Sequence, residues 1–159
     1  MAYNWANLLR EVMAVVATTW TDVVPNGIYL YQEIARISWE APDAYPYAVV
    51  HLRAADTGEW GLGNVAFEPV IDFHYIMAET QAQGADPLAA LNIIPAKLEA
   101  LKSALYDAPH TDSQATLLDI EAMDWSGESA VNSLLLAKNV PVGGGLLSVR
   151  YVCGESAFS

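Results

Sequence analysis

Two hydrophobic periods follow one another along the second half of the chain, and their order restricts the fold more than any single motif. Within residues 70–77, Ile71, Phe73, Tyr75 and Met77 share one face, because side chains alternate across a strand. Downstream, Leu91, Ile94, Leu98, Leu101 and Leu105 recur three and four residues apart, the spacing that draws one apolar stripe along a helix. Alternation then returns. Residues 116–125 set Leu118, Ile120 and Ala122 against Asp119, Glu121 and Met123, and residues 146–153 put Leu147, Val149, Tyr151 and Cys153 on one side. A leucine stripe among alternating strands has to pack on them. The expected fold is α+β: a small, mostly antiparallel sheet with an N-terminal helix and one central helix packed on one face.

The rest of the chain fits around that core. Residues 4–20 read as the first helix, with Asn4 as cap and Leu8 or Leu9, Val12, Met13, Val16 and Trp20 at helical spacing. Pro25-Asn26-Gly27 is a turn signal, and the short apolar run 28–31 is open in assignment. Two prolines make residues 38–46 an ordered loop. Residues 47–53 alternate, with Ala48, Val50 and Leu52 opposite Tyr47, Val49, His51 and Arg53, and suit an antiparallel partner for 70–77. The connection 54–66, with glycines around Trp60, reads as a long loop. Asp86-Pro87 starts the central helix, and Pro95 either kinks it or separates a short turn from a main helix over 95–106. Residues 109–115 form a polar loop, 131–140 fit a strand or a helical turn, and Gly143-Gly144-Gly145 reads as flexible loop.

Composition bears on the exterior. The 159 residues suit one domain with a real core. Only 16% are charged, against roughly 25% in an ordinary soluble domain. With 53% apolar residues, part of the surface is expected to be covered by other subunits. Nineteen acidic residues against seven basic ones give a net charge of -12, which repels phosphate backbones and argues against reading DNA sequence. Such acidity serves solubility, or else lines a passage along which DNA slides without adhering. Cys153 is the only cysteine, so no intramolecular disulfide forms. The opening residues lack the pattern of a secretory signal, and no apolar run approaches a membrane span, so a soluble, untargeted intracellular chain is expected.

The residues that carry chemistry elsewhere do not converge in this sequence. His51, His74 and His110 have none of the spacings that gather a metal. A Gly-x-Ser-x-Gly elbow is missing, and the triple glycine precedes a strand and lacks the lysine of a phosphate loop. Asp119 and Glu121 project from one strand face, where alternate carboxylates are commonly solvated, and nothing beside them separates their pKa values into acid and base. Cys153 has no neighbour to activate it. The expectation is a chain with no catalytic residues, no cofactor and no metal.

The element order, ending in a helix at "LYDA", a strand "LLDIEAMDW" and a strand "LLSVRYVCGE", resembles the tail-terminator family of long-tailed bacteriophages and the related tail-completion and neck proteins. The resemblance spans residues 1–159 as one tail-terminator-like domain. It implies a virion protein that assembles as a ring, usually a hexamer, at the head-proximal end of the tail tube. The ring ends tube growth and joins the head-tail connector proteins, while DNA passes through the lumen without sequence-specific binding. On this reading Trp60, Gly61 and Leu62 contact a neighbouring subunit, an alternative to Trp60 folding back over its own sheet. Asp119 and Glu121, with Asp72, would face the lumen, the alternative being an outer solvated face. From a different class, a small intracellular enzyme or ligand-binding α+β domain also fits, its pocket lying between helix and sheet.

Overall fold

The structure is a computed structural model that describes residues 4–37, 46–60, 64–78, 87–124 and 142–153. Helix α1 is Trp5–Thr19, and the Asn4 side chain caps it by accepting from the Asn7 amide at 3.2 Å. Leu8, Val12, Val16 and Trp20 lie four residues apart, form one line along the helix, and are all fully buried. A 3₁₀ turn at Pro25–Gly27 leads into β1 (Ile28–Leu30), and a second 3₁₀ segment spans Tyr31–Arg36. Strands β2 (Tyr47–Trp60) and β3 (Asn64–Ala78) follow, then helix α2 (Pro87–Asp107), β4 (Ala115–Asp124) and β5 (Val142–Cys153).

These strands form one sheet in the order β1-β2-β3-β5-β4. Pairing is antiparallel except between β1 and β2, where Ile28 to Leu30 run parallel to Ala48 to Val50. Both helices lie on the expected face. Ala48, Val50, Ile71, Phe73, Tyr75, Met77, Leu147, Val149, Tyr151 and Cys153 join Leu8, Val12, Val16, Ile94, Leu98, Leu101 and Leu105 in one core. Each valine, leucine, isoleucine, phenylalanine or methionine fully buried there contributes roughly 1.5–3 kcal/mol. Helix α2 runs through Pro95 as a single helix, although the ring removes the N–H that would bond the Leu91 carbonyl. Among the described residues, no helix is long and apolar enough to cross a membrane.

Three local expectations are corrected. First, 54–66 is not a long loop. β2 and β3 pair out to Trp60 opposite Asn64, which leaves only 61–63 between the strands. Glycines within 54–66 hide the alternation that marks a strand, yet they do not prevent backbone pairing. Second, Gly143, Gly144 and Gly145 are strand residues opposite Met77, Ile76 and Tyr75. Glycine is needed there for clearance: a Cβ on Gly145 would collide with Ile94 Cγ2 and lie 3.1 Å from Leu98 Cδ1. Third, of Leu118, Ile120 and Ala122 on β4, only Ile120 packs on the core. Register shifts at 117–119 and 120–122 break its period of two, so Leu117, Ile120 and Met123 pack on the core. Leu118 is left 40% exposed, and Ala122 is exposed as well. The 38–45 part of the proline-bearing loop and the segment 131–140 lie outside the described residues.

Gly145 sets how closely α2 approaches the sheet. Gly145→Ala is expected to destabilise the fold by about 1–3 kcal/mol, the usual penalty for overpacking. Ile94→Ala in the same chain should cost less than it does alone, because the removed methyls are those the new Cβ strikes. Urea denaturation of the two single variants and the double variant measures both effects.

Candidate functional site

The face opposite the helices carries charged side chains from four adjacent strands. Arg53 lies on β2, Glu68 and Asp72 on β3, Ser148 and Arg150 on β5, and Asp119 and Glu121 on β4. Asp72 is the hub. Its Oδ2 accepts from Arg53 Nε at 3.0 Å and its Oδ1 from the Ser148 hydroxyl at 2.5 Å, while the residue is 5% exposed. A buried carboxylate survives because donors replace the water it has lost. Arg53 also donates to Glu121 Oε2 at 3.2 Å. Arg150 is held more loosely, 3.7 Å from Glu121, 3.9 Å from Glu68 and 4.0 Å from Asp119. Its Nε is buried without a hydrogen-bond partner. Four carboxylates against two guanidiniums leave this face net negative.

The three acidic positions singled out in the sequence are therefore neighbours on one face, although Asp72 is buried beneath Arg53 and Asp119 is the most exposed of them. The basic residues that knit them together are not evident from spacing. Their signal is that Arg53 and Arg150 occupy the second face of alternating strands, and only the strand order shows which carboxylates they meet. Of the other anticipated residues, the backbone of Trp60 pairs with Asn64 at the end of the hairpin. The Trp60 side chain, Gly61 and Leu62 lie outside the described residues.

His51 and His74 lie on the same face of the sheet as this network, and His110 does not. His51 stacks on Tyr31 with ring centroids 3.9 Å apart and planes at 17°. Burial lowers its pKa, against the opposing charge of Asp72. His74 is 1% exposed and its Nδ1 has no hydrogen-bond partner. Burial, with a smaller contribution from His51, pushes its pKa down to about 3. His110 follows α2, with its ring edge-on to Tyr151 at 5.1 Å and Nδ1 3.4 Å from Glu11 Oε2. Burial again lowers its pKa, and Glu11 works in the opposite direction.

Two polar contacts fasten the helices. Glu11 of α1 accepts from the Asp112 and Ser113 amides at 2.7 and 2.9 Å and from the Ser113 hydroxyl at 2.5 Å, which holds the turn where Gln114 takes a φ of 54°. At the other end, Trp20 Nε1 donates to the Lys97 carbonyl at 2.9 Å. Asp22 accepts from the Tyr75 hydroxyl at 2.5 Å and pairs with Lys97 at 3.0 Å. Burial raises the Asp22 pKa, but the Tyr75 and Lys97 hydrogen bonds outweigh it and hold the carboxyl below the usual range.

Chemically, these groups are turned toward one another. Ser148 is 2% exposed, and its hydroxyl is committed to Asp72. Among the described residues, no group of three or more His, Cys, Asp or Glu side chains could hold a metal ion. A shallow cleft of about 330 Å³ lies beside β1, lined by Asn26, Ile28, Tyr29, Glu33 and Arg36. No known protein family matches the chain, and no characterised protein matches it either.

Three histidines with lowered pKa values make the fold acid-sensitive. Unfolded, each takes up a proton below about pH 6.5, whereas His74 stays neutral in the fold until about pH 3. Stability is thus fully present above pH 6.5 and falls as pH drops through that value, by about 1.4 kcal/mol per unit for His74 alone. His74→Gln should flatten the dependence between pH 6.5 and 4.5, as read from urea midpoints across that range.

Proposed function

We propose that this chain is a structural ring subunit of a long-tailed phage, placed at the head-proximal end of the tail tube. There it ends tube growth and joins the tail to the head connector. The observation that carries this reading is the β2–β3 hairpin. β2 and β3 continue past Phe67, which pairs with Cys153 of β5, out to Trp60 opposite Asn64. In the ring reading this hairpin meets a neighbouring copy or the adjoining ring. The α+β element order, the 16% charge content and the net charge of -12 support the same reading.

Trp60 stands at the end of this arm, and a buried aromatic anchor is worth roughly 2 kcal/mol or more when truncated. Trp60→Ala should weaken assembly while leaving the melting of the isolated chain nearly unchanged. Light scattering of the purified chain, alone and with tail tubes, together with labelling of its position on virions, tests the reading. A monomer under every condition would remove the ring and leave the small-ligand alternative.

In such a ring the charged face of the sheet borders the passage. Its carboxylates repel phosphates within roughly 10 Å at 0.1 M salt, which keeps passing DNA from adhering. Glu121 acts directly, and Asp72 acts by holding Arg53. Replacing Glu68 and Glu121 together by Gln makes the network neutral with little change of shape. Particles carrying both changes should eject DNA more slowly, and the difference should shrink as salt rises. An ejection rate equal to that of the unaltered particle would remove the lumen role.

A further inference from the structure

The two ends of the sheet are chemically complementary. β1 and β4 are its outer strands. At the β4 end, the register shift turns Leu118 away from the core and leaves it 40% exposed, one of few large apolar side chains so placed among the described residues. Beside it, the Asp119 side chain is 60% exposed and, among the described residues, has the 4.0 Å contact to Arg150 as its ion pair. At the β1 end lies the cleft, with Ile28 and Tyr29 in its lining and Arg36 at its side, the Arg36 side chain 75% exposed. Arg36 Nη1 is engaged by Glu33 at 2.8 Å, and Glu33 Oε1 accepts from the Leu30 amide at 3.0 Å. A guanidinium has five N–H donors, so Arg36 retains donors for a second carboxylate.

We propose that Leu118 and Asp119 of one copy seat in the cleft beside β1 of a second copy, the leucine against Ile28 and Tyr29 and the carboxylate on Arg36. This rests on the ring reading and names the joint between its subunits. The contact uses two different surfaces, so it repeats head to tail and closes when the rotation per subunit completes a circle. The irregular register of β4 disfavours simple extension of the sheet across the joint, because bulges blunt an edge against strand pairing. Side chains therefore carry the contact. The existing partners of Asp119 and Arg36 are exposed pairs, worth about 0–1 kcal/mol each, so exchanging them costs little.

Charge reversal tests the joint in the full chain. Asp119→Arg and Arg36→Glu should each bring the light-scattering mass down toward the 17.2 kDa of one chain, at concentrations where the unaltered protein is assembled. Combining the two reversals should restore assembly, because the pair is remade with opposite polarity. Leu118→Asp should dissociate the assembly as well, and unchanged far-ultraviolet dichroism of each variant would show that it still folds. Single reversals that keep the assembled mass, or a combined variant as dissociated as the single ones, would overturn the joint and leave the ring intact. An unaltered protein that is monomeric at every concentration, with and without tail tubes, would overturn both.

Discussion

Strand β3 is bonded to a neighbour on each edge and buried on both faces, and the rest of the molecule is arranged by its register. Facing the helices it presents Ile71, Phe73, Tyr75 and Met77, and facing the other way Asp72, His74 and Ile76. A slip of one residue would exchange these sets, driving Asp72 and His74 into the apolar core. The cost of burying an unpaired carboxylate there excludes the slip. Aromatic packing reinforces the choice, since Tyr75 meets the edge of Trp20 with ring centroids 5.2 Å apart.

Polar groups on the second face exist because that register creates places for them. Asp72 is tolerable only with Arg53 and Ser148 at hydrogen-bond distance, and these arrive from strands on either side of β3. Removing one partner of such a buried pair is costly even where the intact pair adds little net stability, so the network specifies the sheet more than it strengthens it. The irregular register of β4 belongs to the same logic. It aims Glu121 at both Arg53 and Arg150 while keeping Leu117, Ile120 and Met123 on the core.

An acidic chain with few charges must hold its helices by other means. Here the apolar stripe of α2 does most of it, and Gly145 allows the close approach. Glu11 and Asp22 then fix the two ends of the helical layer through hydrogen bonds that isolated surface ion pairs could not match in strength.

Local periodicity determined both helices, the pairing of 47–53 with 70–77 and the core faces of β2, β3 and β5, because side-chain alternation and helical spacing need no knowledge of the partner. Asn4 as cap and Pro87 as a helix start were legible for the same reason. The hairpin through 54–66 was not legible, since its glycines carry no alternating signal and its pairing is made by backbone alone. Nor was the inward set of β4: two register shifts follow from how β4 meets β5, and no count along 115–124 contains them. The acidic positions of the candidate site could be read from the chain, but their partners could not. Arg53 and Glu121 are 68 residues apart. Only the order β2-β3-β5-β4 decides that they touch, because a charge pair across strands depends on which strands become neighbours.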